Sequence, residues 1–203
     1  LGFHDLSVPF QATMSRPDRA IPFPACRLTD GSVIVRPWEA GDAPALYDAA
    51  RESIATVGPW LSWLDTLYAL EDAERWVVDS RECWDRGTEY RFAIVASGAH
   101  GRLLGGAGIN HLNAVHAIGN LGYWVRASAT GGGIASRAAR LVARFGLTTA
   151  ALGRIEILTA VDNLASQRVA AKVGATFEGV LRDRLLVRGQ HIPARLYSLV
   201  RQD

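Results

Sequence analysis

Three consecutive glycines, Gly131, Gly132 and Gly133, stand directly before a stretch whose apolar residues Ile134, Ala138, Leu141, Val142 and Phe145 recur at helical spacing. A helix start exposes unpaired N–H groups at the positive end of its dipole. Glycines at that point let an anion approach the backbone closely, which is the chemistry of a phosphate cradle. The plainer alternative is a flexible turn. Two common phosphate motifs fail here. No Gly-Lys-Ser/Thr follows, which excludes a P-loop at this position. "GGGIAS" has Ser136 where a dinucleotide fingerprint needs its last glycine, and it lies late in the chain, after an expected antiparallel meander.

A second group of residues lies in "TAVDNLASQRVAAKVGATFEGVL", residues 159–181. A strand ends near Val161, Asp162 or Asn163 caps a helix, and Ser166 sits one turn inside it. Arg168 and Lys172, four apart, share a face that reads first as solvated surface. His111 and His116 flank a turn between two strands, where an imidazole could relay a proton through water. Trp60 and Trp63 follow the first long helix and read equally well as core or as pocket wall. Cys26 and Cys83 lie far apart without metal-ligand spacing. They argue against a zinc site or a disulfide scaffold and fit a reducing cytoplasm.

The elements that must carry these residues alternate in period. Strands are expected at 33–36, 91–96, 103–109, 118–125, 155–161, 179–187 and 192–200, with Arg188-Gly189 as a hairpin turn. Helices are expected at 43–57, 71–86, from the glycines to about 145, and at 164–173, the last stopped by Gly174. The late strand–helix–strand order requires a parallel crossover, whereas the meander before it is antiparallel. The class is therefore α/β (α+β): a mixed, mostly antiparallel sheet of six to seven strands flanked by helices on both faces.

With 203 residues, one domain is expected over 28–203, preceded by an arm over 1–27 rich in proline and charge. The only methionine is Met14, so residues 1–13 read as tag remnant or upstream translation. A formal net charge of +2 gives no bulk electrostatic footprint for nucleic acid. The apolar runs are too short for a bilayer, and no secretory signal opens the chain.

Taken in order, "VIVRPWEAGDAPALYD", "LGYWVRASATGGGIASRAARLVARFGL" and "VDNLASQRVAAKVGATFEGVLR" resemble the acyl-CoA-dependent N-acyltransferases of the GNAT superfamily, and its RimJ/RimL-type branch in particular. The likeness runs from about Leu28 to Arg201. It departs from the superfamily's Q/R-x-x-G-x-G/A loop at Thr130, while Gly133 and Ala135 match. It implies a GNAT fold with a splayed parallel strand pair. The coenzyme A pyrophosphate would lie on the backbone of Gly131, Gly132, Gly133, Ile134, Ala135 and Ser136, and the pantetheine arm along Trp124-Val125. Asn163 would hold that arm, and Arg137 and Arg168 would meet the adenosine phosphate. Ser166 matches the serine proposed in the family to protonate the departing sulfur. A glutamate that some relatives carry is replaced by Leu185, which leaves His111 as the candidate base. Trp60, Trp63, Asn110 and Tyr123 would wall the acceptor site.

The implied reaction is transfer of an acetyl group from acetyl-CoA to a primary amine, on a protein N-terminus or a small molecule, in the cytoplasm and without a metal. Neither a nucleic acid nor a membrane is an expected partner, and a homodimer is compatible with the branch. Two other readings share the coenzyme loop: a non-catalytic acyl-CoA sensor, and a transferase of a longer acyl group such as succinyl. An unrelated nucleotide-binding α/β protein is disfavoured by the two failed phosphate motifs.

Overall fold

Alternation at period two sends Val33 and Val35 to one side of β2 (Val33–Pro37) and Ile34 to the other. In β3 (Tyr90–Ala96) it splits Phe92 and Ile94 from Ala93 and Val95 in the same way. The sheet is thus apolar on both faces and must be covered on both. The computed structural model describes residues 26–98 and 101–201. The arm expected at the amino terminus lies, up to residue 25, outside the described residues.

The remaining strands are β1 (Leu28–Thr29), β4 (Leu103–Asn113), β5 (Ile118–Val125), β6 (Arg154–Ala160), β7 (Thr176–Val187) and β8 (Gln190–Val200). They form one eight-stranded sheet in the order β1-β2-β3-β4-β5-β6-β8-β7. The eighth strand, beyond the seven expected, is the two-residue β1 at the edge. All pairs are antiparallel except β5 with β6. That parallel pair covers only Ile118↔Arg154, Gly119↔Ile155 and Asn120↔Glu156, after which the two strands pair no further.

Among the described residues four α-helices cover the faces: α1 (Ala43–Glu52), α2 (Leu70–Arg86), α3 (Ile134–Thr148) and α4 (Leu164–Val173). Leu46, Ala49 and Ala50 of α1 and Ala73 and Val77 of α2 pack with Trp38, Ala93, Val95 and Leu103. On the other face Phe145 of α3 meets Trp84, Tyr90 and Phe92 edge-on or tilted, at ring separations of 5.2 to 5.7 Å. α1 is shorter than the expected 43–57. Ser53, fully buried, turns its hydroxyl back onto the Ala49 carbonyl at 2.6 Å, and the chain continues as turns. No helix among the described residues is long and apolar enough to cross a membrane.

Candidate active site

The glycine loop joins β5 to α3. Gly133, at φ +75°, is the residue capping α3, and Gly131 also lies in the left-handed region, at φ +85°. Gly132 needs neither a positive φ nor a close approach, because a Cβ built there would meet nothing within 4 Å. Its missing side chain therefore leaves open space above the backbone rather than relieving a contact. The first helical bond runs from the Arg137 amide to the Gly133 carbonyl, at 3.1 Å. The amides of Ile134, Ala135 and Ser136 before it have no helical acceptor and form the positive end of the dipole.

The approach to this loop is held from α1. The Glu52 carboxylate accepts from the Arg126 guanidinium and from the Ser128 amide, and Ser53 Oγ accepts from the Ala127 amide at 3.0 Å. The bonds from Arg126 and Ser128 hold the Glu52 carboxyl down at about 2, against an ordinary 4.5. A depressed carboxyl stabilises the fold fully above its unfolded value and loses that contribution as the pH falls through its folded value. The difference in melting temperature between the parent and Glu52→Gln is therefore expected to be full above about pH 4.5 and to shrink towards about pH 2. The pair is near the surface and partly screened, so the difference is small. A gap that stays constant in scans from pH 6 to pH 2 overturns the assignment.

Where β5 and β6 part, Tyr123 and Ser166 meet. The Tyr123 hydroxyl lies 3.0 Å from both Ser166 Oγ and the Ser166 carbonyl oxygen, linking β5 to the first turn of α4. Burial, with Tyr197 adding to it, pushes the Tyr123 hydroxyl up to about 12, against the pull of the Ser166 bond. Asn163 caps α4, its Oδ1 accepting from the Ser166 amide at 3.0 Å, which leaves its Nδ2 group to point elsewhere.

On the α1/α2 face lies a cavity of about 150 Å³ lined by Trp63, Trp76, Glu89, Arg91, Asn110 and Tyr123, among others. The register explains why it is open. Arg91 is opposite Gly108, and Gly108 is opposite Gly122, so two of the three strands offer bare backbone as its floor. A Cβ on Gly122 would stand in open space. Asn110 Oδ1 takes a bond from Asn120 Nδ2 at 2.8 Å. Glu89 is the carboxylate of the lining, held by Arg91 at 2.6 Å, and Arg91 in turn lies 4.1 Å over the Trp76 ring.

Of the residues singled out from sequence, the fold gathers Trp63, Asn110, Tyr123 and Trp124 around this cavity. The glycines and residues 134–136 continue from the far end of β5, beyond Trp124-Val125. Trp60 is half-buried and does not line the cavity. His111 does not line it either. A register irregularity between Asn110 and Asn113, with His111 at φ +49°, leaves the residue exposed. Arg137 is paired with Asp30 of the β1–β2 turn at 3.0 Å, whereas Arg168 is exposed. Sequence reasoning missed Glu52, Glu89 and Arg91, since nothing local marks a charged residue as bracing a distant loop or as facing a cavity. Among the described residues no cluster of His, Cys, Asp or Glu could hold a metal ion, and both described cysteines are free.

Residues 32–176 match the family described as the acetyltransferase (GNAT) domain. The chain is 26% identical over 179 residues to YdaF of Bacillus subtilis (strain 168), a provisionally named ribosomal N-acetyltransferase, covering 88% of this chain and 96% of the relative. It is 26% identical over 140 residues to the ribosomal-protein-serine acetyltransferase of Escherichia coli (strain K12), covering 69% and 76%. Among solved structures, Mycobacterium smegmatis RimJ in complex with CoA-disulfide is similar at a TM-score of 0.76 and 27% identity, covering 87% of this chain and 85% of that one.

Proposed function

The chain belongs to the GNAT acetyltransferase family, and from that membership we propose that it acetylates the α-amine of a protein N-terminus, with acetyl-CoA as donor, by direct attack in a ternary complex. The observation that carries this reading is the continuity of four features. Open amides at a glycine-lined helix start lead to the unpaired edge of β5. That edge leads to a gap bridged by Tyr123 and Ser166, with a small amine-sized cavity beside it.

When bound, acetyl-CoA supplies a thioester carbonyl open to attack. The chain's residues do the rest. Backbone amides at 131–136 neutralise the pyrophosphate, and Asn163 Nδ2 steadies the arm. The cavity, walled by Trp63 and Trp124, presents the amine. A neutral amine forms the new C–N bond as the C–S bond breaks. An α-amine with a pKa of about 7.7–8.0 is partly neutral at physiological pH, so a modest acceptor for its proton suffices. Glu89 takes that proton. Ser166 gives one to the departing thiolate and is replenished by Tyr123, which regains its proton from solvent as Glu89 releases the one taken from the amine. The likeness to enzymes acting on ribosomal proteins favours a protein acceptor, and the two free thiols fit a cytoplasmic setting.

The test is incubation of the protein and acetyl-CoA with peptides beginning with serine or alanine, and with polyamines and aminoglycosides, read by mass spectrometry. Addition of one acetyl group to a peptide N-terminus is the expected result. Acetyl-CoA binding without transfer to any amine overturns it in favour of a sensor.

A further inference from the structure

The loop between α1 and α2 carries Trp63 and Leu61 to the cavity wall, yet little of the loop is buried. Trp63 is 41% exposed, with its ring 6.3 Å from Trp76 and 6.0 Å from Trp124. Leu64, fully buried, anchors one end. The other end closes at Gly58, where a Cβ would fall 2.4 Å from the Ile54 carbonyl oxygen and 2.9 Å from that of Leu64. Only a glycine allows that closure.

A single side chain from far along the chain reaches both ends. Arg188 Nη2 donates to the Gly58 carbonyl at 3.0 Å and lies 3.5 Å from the Leu64 carbonyl, 130 and 124 residues away. Arg188 and Gly189 form the two-residue tip of the β7–β8 hairpin, at φ +50° and +77°. A left-handed arginine is unusual at such a tip, where asparagine or glycine fits at less cost. Among the described residues, no other side chain bonds to residues 58–64.

We propose that Arg188 is a positioning residue for the acceptor: by pinning the Gly58 and Leu64 carbonyls it fixes the Trp63 wall and so the width of the amine pocket. The inference rests on the acetyl-transfer reading for what enters that pocket. The pin itself stands on geometry alone. Its guanidinium suits the task because the one Nη2 amino group, held in the guanidinium plane, carries two N–H donors, one for each carbonyl.

The experiment compares the parent, Arg188→Ala and Arg188→Lys by steady-state kinetics at saturating acetyl-CoA, by calorimetric acetyl-CoA affinity, and by acrylamide quenching of tryptophan fluorescence. A Trp63→Phe background identifies the Trp63 signal. For Arg188→Ala the expected result is a rise in acceptor KM of about tenfold, with kcat within about twofold. Acetyl-CoA affinity should be unchanged and Trp63 more readily quenched. Arg188→Lys should recover part of the KM, since an ammonium keeps the charge and enough donors but sits on a shorter, more flexible stem. An unchanged KM and unchanged quenching in folded Arg188→Ala overturn the proposal. So does an equal loss of acetyl-CoA affinity in both variants, which would mark a merely structural role. If the parent transfers acetyl to no amine, the acetyl-transfer reading fails, and the quenching comparison alone decides whether Arg188 holds the loop.

Discussion

Gly132→Asp is expected to weaken acetyl-CoA binding by at least about a hundredfold while leaving the melting temperature close to that of the parent. The position separates the two effects that a glycine variant usually confounds. At Gly131 or Gly133 an aspartate would have to adopt φ +85° or +75°, so lost binding could reflect backbone strain. At Gly132 the backbone is ordinary and the new Cβ meets nothing within 4 Å. What remains is charge. A carboxylate about 4 Å from a bound phosphate, at an effective dielectric of about 20, costs roughly 4 kcal/mol. Each 1.4 kcal/mol is about tenfold in affinity, so the full term is nearer a thousandfold, and screening by solvent brings it down. Gly132→Ala adds only a methyl group and should cost a few-fold. Calorimetric titration with acetyl-CoA measures both. Retained affinity in the aspartate variant would mean that the pyrophosphate lies elsewhere and that the open amides at 134–136 serve only as a helix start.

How much of this was legible in the sequence depends on how far apart the partners lie. The sequence places β5 and α4 at the bounds they have, 118–125 and 164–173, because their signals are local: alternation in one case, an asparagine cap and a glycine stop in the other. The parallel crossover follows from connectivity, whereas the insertion of β8 between β6 and β7, which leaves β5–β6 as the one parallel pair, does not. Where tertiary contacts set a boundary, the sequence misleads. The periodicity of α1 runs on past Glu52, but Ser53 serves two partners, the Ala49 carbonyl and the Ala127 amide, the latter 74 residues away. β4 outruns its expected end at 109 because a bulge carries pairing on to Asn113. The candidate site divides along the same line. Its glycines and Asn163 announce themselves by type and spacing. The Tyr123–Ser166 bond joins residues 43 apart, and Glu52 reaches Ser128 across 76. Arg188 reaches Gly58 across 130. These contacts exist only through strand register and crossover, which no short stretch encodes.

Of those long-range contacts, the one between Tyr123 and Ser166 bears most directly on rate in the proposed reaction. Ser166→Ala should lower kcat by about a hundredfold or more, the range of a lost general acid, with acetyl-CoA affinity little changed. Asn163 would still cap α4, since the bond it accepts comes from the Ser166 amide rather than its hydroxyl. Tyr123→Phe should cost less, on the order of tenfold, because Ser166 keeps its own proton and loses only the group that replenishes it. The Tyr123 hydroxyl lies at equal distance from Ser166 Oγ and the Ser166 carbonyl oxygen, so it can turn from one to the other as the serine proton leaves. Two groups in one relay act as a unit, and the double variant should be little worse than Ser166→Ala alone. Because burial holds the Tyr123 hydroxyl near 12, the relay stays protonated across the neutral and mildly alkaline range. The pH profile of kcat should then show no alkaline fall from this group below about pH 10. A full kcat in Ser166→Ala would remove the serine from the chemistry. Strictly additive losses would keep both residues but break the relay, leaving the tyrosine to position rather than to donate.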